Sequence, residues 1–242
     1  MSEPPRRPTS PDRARRLAFY ASGALPLLGL CGAPPDLMLL IYTTFVAASA
    51  IRRRTTFTER IPGPPWLSWF VIMVLVGFLT ETLAWAGNYL ARAEQPALFH
   101  PQLLYDLLLS PGIYAAWAVG WILGSRRWRF SVTDVFVVQG VYGILLEQNG
   151  AILLAGLRAM PLGLRLRLYV FVVDGAAAGL AYLPFESRLA APRATDSRWK
   201  FPAALLALLA ATALAALGWS ATLDALGVTI PEPKPIWLAP LW

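Results

Sequence analysis

The stretch "WLSWFVIMVLVGFLTETLAWAGNYL", residues 66–90, decides the fold class. It is apolar over 25 residues, and Glu81 is the one charged residue in it. A helix rises about 1.5 Å per residue, so this stretch would span more than the roughly 30 Å of a bilayer's hydrocarbon core. We therefore predict a transmembrane helix that carries a carboxyl group into the membrane.

Six further apolar blocks surround this one. The chain is 57% hydrophobic and 14% charged, whereas about a quarter of the residues of a soluble domain are charged. The sequence predicts an all-α integral membrane protein, a single polytopic bundle of about seven transmembrane helices at 17–223. Residues 1–16 are expected to form a disordered basic cytoplasmic tail, and residues 224–242 a Pro- and Trp-rich external tail at the interface. The predicted spans are 17–33, 36–51, 66–91, 102–124, 131–157, 166–185 and 201–223.

Arginine and lysine are unevenly divided between alternate loops. If the seven blocks cross in turn, 16 of the 21 basic residues fall on the N-terminal side and 5 on the other. Cytoplasmic loops carry an excess of basic residues, so we expect a cytoplasmic N-terminus and an external C-terminus. This asymmetry also accounts for the net charge of +7 without a nucleic-acid partner.

Four acidic residues need an explanation other than topology. A charge in the bilayer core costs a few kcal/mol, and the predicted spans place all four in the outer half of the membrane. Each could instead have a local structural role, such as a helix cap or an interhelical hydrogen bond. This alternative is strongest for Asp106, which lies near a predicted helix start. The shared depth favours one pocket. The residues are Glu81, Asp106, Glu147 and Asp174.

The site hypothesis sets Glu81 opposite Glu147 across a cavity open to the outer leaflet, with Asp174 as a third catalytic residue. Gly143 and Gly150 lie on the face of Glu147 and allow a neighbouring helix to approach closely. Two buried carboxyl groups close together cannot both ionise cheaply, so one is expected to keep its proton. The other residues expected to line the cavity are Asn88, Gln148, Asn149, Asp106, Trp85 and His100.

A protonated acid beside a second carboxylate suits acid–base chemistry. The favoured interpretation is an enzyme of the cyclase, isomerase or hydratase type that uses carboxyl groups on a lipophilic, isoprenoid- or lipid-like substrate. In architecture alone, such a bundle resembles the integral-membrane terpene and carotenoid cyclases. Two alternatives stay open: a small proton- or cation-coupled transporter or channel, and a structural or assembly subunit of a membrane complex.

Cofactors and partners follow from what the sequence contains. With one cysteine, Cys31, and one histidine, His100, clusters of the kind that hold zinc or di-iron are not expected. We predict no metal and no cofactor. The expected partners are membrane lipids and a lipophilic small molecule. The high arginine and low lysine content suggests the plasma membrane of a prokaryote.

Overall fold

The computed structural model describes residues 10–52, 61, 63–189 and 196–242, with the backbone alone at 10–13, 148 and 149. Within these residues the chain is all-helical. Ten α-helices follow one another, joined by short 3-10 turns at Leu25–Cys31, Glu147–Gly150 and Leu183–Phe185. The helices are α1 (Ser10–Ser22), α2 (Leu40–Arg52), α3 (Pro65–Leu90), α4 (Leu103–Leu109), α5 (Pro111–Arg127), α6 (Val132–Leu146), α7 (Ala151–Arg158), α8 (Gly163–Tyr182), α9 (Glu186–Leu189) and α10 (Lys200–Ala225).

Among the described residues, four helical stretches are long and apolar enough to cross a membrane. A bent pair, α6 with α7, brings the number to five if the two helices form one span. The chain is therefore a multi-pass membrane protein. The expectation of seven continuous spans is not met, because α1 and α2 have 13 residues each and reach only about 20 Å. The four stretches are Pro65–Leu90, Leu103–Arg127, Gly163–Leu189 and Lys200–Ala225.

The fifth block is broken, whereas the sequence predicted one helix over 131–157. Helix α6 begins with a capping box between Ser131 and Asp134 and ends at Leu146, and α7 leaves at an angle of 82°. Gly150 between them has a φ of 83°, a left-handed conformation that favours glycine. The break leaves Glu147 at a helix terminus instead of inside a helix.

Small residues bring the central helices together. Helix α6 packs along α8, where a Cβ atom on Gly140 or Gly175 would meet a main-chain oxygen of the facing helix at 2.6 Å. Helix α10 packs along α5, where a Cβ on Gly120 would lie 3.1–3.5 Å from Leu208. Most of α10 is nevertheless exposed, as the apolar stretch 203–219 leads one to expect of a helix that faces lipid.

Two ends of the bundle differ in chemistry. At one end, which we call the basic end, Arg52 pairs with Glu186 at 2.6 Å and Lys200 pairs with Asp134 at 2.8 Å. At the other, which we call the tail end, residues 228–242 fold back on the start of α4. Within this segment, the side chain of Ile236 is fully buried. The tail thus forms part of the bundle instead of only lying along the interface.

Gln102 holds the tail in place. Its amide nitrogen donates to Lys234 O and Ala239 O, at 2.9 Å each. The main chain of the tail also accepts hydrogen bonds from the start of α4. The N–H groups of Leu103 and Leu104 donate to the carbonyl oxygens of residues 240 and 241. The tail therefore supplies acceptors that a helix start otherwise lacks.

Candidate functional site

Glu81 lies in the middle of α3 and is half-buried. Tyr114 of α5 donates its hydroxyl to Glu81 Oε1 at 2.5 Å. The tyrosine ring fits there because Gly77, one helical turn before Glu81, has no side chain. A Cβ at Gly77 would overlap the ring. The glycine thus lets α5 place a hydroxyl donor on the membrane-embedded carboxyl group.

Asp106 of α4 is the acidic residue that the structure relates most directly to Glu81. It is fully buried, and its Oδ1 accepts the main-chain N–H of His100 at 3.1 Å. Its carboxyl group and that of Glu81 are neighbours that influence each other electrostatically. Oδ2 has no donor in the described part of the chain. A proton on one of the two carboxyl groups would supply the hydrogen-bond donor that is otherwise missing.

Asp174 of α8 forms the second buried acid. It is 8% exposed, and its carboxyl group lies against Gly143 of α6, where any Cβ would overlap it. No donor among the described residues reaches its Oδ2. Asp174 lies within electrostatic range of both Glu81 and Glu147. We call the four acidic residues that the sequence singled out the acid cluster; Asp174 interacts electrostatically with Glu81 and Glu147, and Glu81 with Asp106.

The sequence predicts Glu81 opposite Glu147 across a cavity, with Asp106 in its lining. In the structure, the carboxyl group of Asp106 influences Glu81 more strongly than that of Glu147 does. The reason is the short helix α4, which ends at Ser110–Pro111 and carries Asp106 alongside α3. Glu147, half-buried at the break after α6, interacts with Glu81 at longer range.

An open cleft of about 230 Å³ lies at the tail end beside α3. Ala84, one of its lining residues, is one turn from Glu81, so the cleft lies next to the acid cluster. Asn88 lines this cleft, but Glu81 and Glu147 do not, so it is not the cavity between those two residues that the sequence predicts. Asp36, which the sequence analysis did not select, contributes a carboxylate. The complete lining is Pro34, Pro35, Asp36, Leu37, Met38, Ala84, Gly87, Asn88, Ala91 and Tyr169.

Four predicted lining residues lie elsewhere or cannot be placed. Trp85 donates its indole N–H to Pro101 O at 3.1 Å and stacks on Tyr89. His100 contacts the tail through Nε2 and Pro231 O at 3.2 Å. Both support the loop beneath the tail and do not line the cleft. The side chains of Gln148 and Asn149 lie outside the described residues.

Sequence reasoning missed polar groups nearer the basic end. Tyr142 and Thr212 share a hydrogen bond of 2.5 Å, and Trp121 donates to the fully buried Gln139 at 2.9 Å. Gln139 offered a signal, since it lies eight residues before Glu147 in an otherwise apolar helix. The polar interior therefore includes groups between the acid cluster and the basic end that the sequence analysis did not select.

Neither a metal site nor a known relative identifies the chemistry of the site. In the ranges that the structure describes, no group of three or more His, Cys, Asp or Glu side chains could hold a metal ion. Comparison with protein-family models, curated proteins and solved structures finds no match. The chemistry of the site is therefore argued from its own residues: one pair of neighbouring carboxyl groups, two further acids and a cleft beside them.

Proposed function

We propose that this protein is a membrane-embedded enzyme that carries out acid–base chemistry on a lipophilic substrate. The observation that carries the proposal is that the carboxyl groups of Glu81 and Asp106 are neighbours. A buried acceptor without a donor is costly, and Asp106 Oδ2 is such an acceptor. A proton held between the two groups removes that cost.

The surroundings of the pair indicate which residue carries the proton. Asp106 is fully buried, and its Oδ1 accepts the His100 N–H, so its unpaired Oδ2 is the oxygen that can accept a proton from a neighbouring group. Glu81 is less buried and one turn from the cleft. We assign Glu81 the role of acid and Asp106 that of its acceptor, with Tyr114 fixing the orientation of Glu81 through Oε1.

The remaining acids can complete a reaction without a co-reactant. Glu81 gives its proton to one carbon of a substrate C=C bond, whose electron pair forms the new C–H bond. The O–H electron pair stays on Glu81. The carbocation then loses a neighbouring proton to Asp174, and the electron pair of that C–H bond forms the product C=C bond. Transfer of the proton from Asp174 back to Glu81 restores the site, so the net reaction is an isomerisation. If the electron pair of a second C=C bond in the substrate first attacks the carbocation, a ring-closing C–C bond forms, the charge moves to the far carbon of that bond, and loss of a proton from there gives a cyclisation.

The proposal includes a topology of seven crossings with a cytoplasmic N-terminus, for which two contacts of α2 give support. Tyr169 of α8 donates to Asp36, just before α2, at 3.1 Å, and Arg52 at the end of α2 pairs with Glu186. Tyr169 and Glu186 are separated by about 25 Å along the helix axis. The chain from Asp36 to Arg52 thus extends over nearly the height of a bilayer core, although α2 itself is short.

The first apolar block lies against that segment. Phe19 of α1 contacts Phe45 of α2 edge to face, with ring centroids 6.2 Å apart. Gly23 lies directly against Val46, and Ser22 shares a hydrogen bond of 2.7 Å with Tyr42. The two blocks form a hairpin whose turn is at the tail end. We infer that this hairpin supplies the first two crossings, which puts the basic end in the cytoplasm.

A proton-coupled transporter is the second candidate. The Tyr142–Thr212 and Trp121–Gln139 pairs favour it, because they place polar groups between the acid cluster and the basic end. Proton uptake into liposomes that contain the purified protein distinguishes the two functions. A transporter requires flux that Gln139→Leu slows, whereas the enzyme requires none.

Infrared spectroscopy of the protein in lipid tests the proposal directly. At neutral pH we expect a carboxylic C=O band that is lost in Glu81→Gln, where the acid becomes an amide. The matched control, Glu94→Gln, changes an exposed loop carboxylate and should keep the band. Absence of the band in the parent protein, or its persistence in Glu81→Gln, contradicts the assignment of Glu81 as the acid.

A comparison of host lipids tests the reaction. Cells that express the parent protein and the Glu94→Gln variant should share a lipophilic product with the same mass as its precursor. Cells that express Glu81→Gln should lack this product at equal levels of inserted protein. The same lipids in all three strains would count against the enzyme and leave transport as the better proposal.

A further inference from the structure

The cleft beside the acid cluster contains hydrogen-bond acceptors that no protein donor uses. Asp36 receives Tyr169 Oη at 3.1 Å and Met38 N at 3.2 Å, both on Oδ1. Its Oδ2 accepts no hydrogen bond from the described residues. Asp36 is half-buried, so this oxygen belongs to a sheltered but open site.

Asn88 supplies a second acceptor. Its Nδ2 donates to Ala84 O, one turn earlier in α3, at 2.9 Å. A main-chain carbonyl can only accept, so the amide nitrogen is the atom on that side. Oδ1 of Asn88 is therefore directed away from its own helix and has no donor in the described part of the chain.

The cleft offers no matching donor or positive charge. Tyr169 is the one lining residue with a hydroxyl group, and it is already bonded to Asp36. None of the ten lining residues is Lys, Arg or His. Gly87 leaves open space beside these acceptors, since a Cβ there would meet nothing within 4 Å. A ligand that fits this site brings several donors and a positive charge.

We propose that the cleft binds the ammonium head of a cationic amphiphile, with Asp36 Oδ2 and Asn88 Oδ1 accepting its N–H groups. An ammonium group has donors and no acceptor, which complements the cleft. A phosphate head would meet Asp36 and, one to two turns away, the carboxyl groups of the acid cluster. The site thus excludes anionic lipids.

This assignment rests on the proposed function and names the class of its substrate. Asn88 and Glu81 are seven residues apart on one face of α3, or about 10 Å. The apolar chain of an amphiphile held at Asn88 would extend along Ala84 to the acid. The reacting carbons of the substrate would then lie about 10 Å from its ammonium group.

Native mass spectrometry in a neutral maltoside detergent tests the assignment. The probes are dodecylamine, dodecanol, dodecyl phosphate and ethylamine. We expect dodecylamine to bind at least ten times more tightly than each of the others, because a charge-assisted hydrogen bond is worth about 1.5–3 kcal/mol and ethylamine lacks the chain. Equal binding of dodecanol or dodecyl phosphate would overturn the proposal, and equal binding of ethylamine would reduce the site to a cation site.

Three variants localise the binding. Asp36→Asn keeps Oδ1 and removes the charge, so dodecylamine should bind about tenfold more weakly. Asn88→Asp adds a carboxylate and should strengthen binding several-fold, which a misfolded protein would not do. Asp224→Asn is the matched control, because Asp224 lines a separate groove of about 260 Å³ between α5 and α10. Unchanged binding in both cleft variants, or a loss in Asp224→Asn equal to that in Asp36→Asn, would overturn the assignment.

This assay needs no turnover, so its failure differs from failure of the proposed function. If dodecylamine binds as expected but the infrared band of Glu81 is absent, the results support the cleft assignment and contradict the acid–base function. If the band is present but dodecylamine shows no preference for the cleft, the acid remains and the substrate class is wrong.

Discussion

Replacing Gly77 by alanine should separate Tyr114 from Glu81 and destabilise the bundle. A Cβ at Gly77 would lie well under 3.0 Å from three carbons of the Tyr114 ring, whereas ordinary contacts begin near 3.4 Å. The ring must move by more than about 1 Å to relieve this overlap. It is confined on its other side by Trp117, with ring centroids 5.0 Å apart.

The magnitude follows from two opposing contributions. Overpacking of a tight core costs about 1–3 kcal/mol, and the three overlapping atoms place this site near the upper value. Replacing glycine by alanine inside a helix returns about 1 kcal/mol. We expect the Gly77→Ala variant to lose about 2 kcal/mol of unfolding free energy. Gly87→Ala on the same helix is the matched control, since its Cβ meets nothing within 4 Å, and it should gain up to about 1 kcal/mol.

The assay is reversible unfolding in mixed micelles with increasing dodecyl sulfate, followed by tryptophan fluorescence. A double variant, Gly77→Ala with Tyr114→Leu, should recover part of the loss because it removes the overlapping ring. Equal stability of Gly77→Ala and Gly87→Ala would refute the reasoning, as would a double variant whose loss is the plain sum of the single losses.

Two other predictions concern the outer helix and the topology. Leu208 is fully buried against α5, and Leu214 is 72% exposed, so Leu208→Ala should cost about 2 kcal/mol and Leu214→Ala close to nothing in the same unfolding assay; similar losses would show that α10 is packed on both faces. Reporter fusions after residues 60 and 129 should be cytoplasmic, and fusions after residues 95 and 240 external. An external reporter after residue 129 would overturn the orientation.

The sequence analysis selected the four acidic residues because depth in a membrane depends on position along a helix. The predicted spans place Glu81, Asp106 and Asp174 at similar depths, and a charge at such a depth is expected to have polar neighbours. Which carboxyl groups touch depends on how each helix is rotated and how closely it approaches its neighbour. Those quantities are set by pairs such as Gly77 with Tyr114, in which a ring fills the space that a missing side chain leaves.

The helix count was harder to predict for a similar reason. Hydropathy measures apolar content but does not detect a turn inside a block, so it predicts one helix over residues 131–157. The tetrapeptide "EQNG" at 147–150 is the local sign of the break, since glycine and asparagine favour left-handed backbone conformations. By contrast, α5 begins at Pro111, and proline at the start of a helix is a signal that the sequence shows directly.

The attachment of the tail to Gln102 has a consequence for the order in which the protein folds. The bonded residues are separated by 132 and 137 positions in the chain, so a ribosome must complete α10 before the tail can reach its donors on Gln102 and α4. Until then, the amide of Gln102 and the first main-chain N–H groups of α4 lack the carbonyl oxygens that accept from them in the complete fold. The start of α4 therefore reaches its final hydrogen bonding only after the last helix has been made.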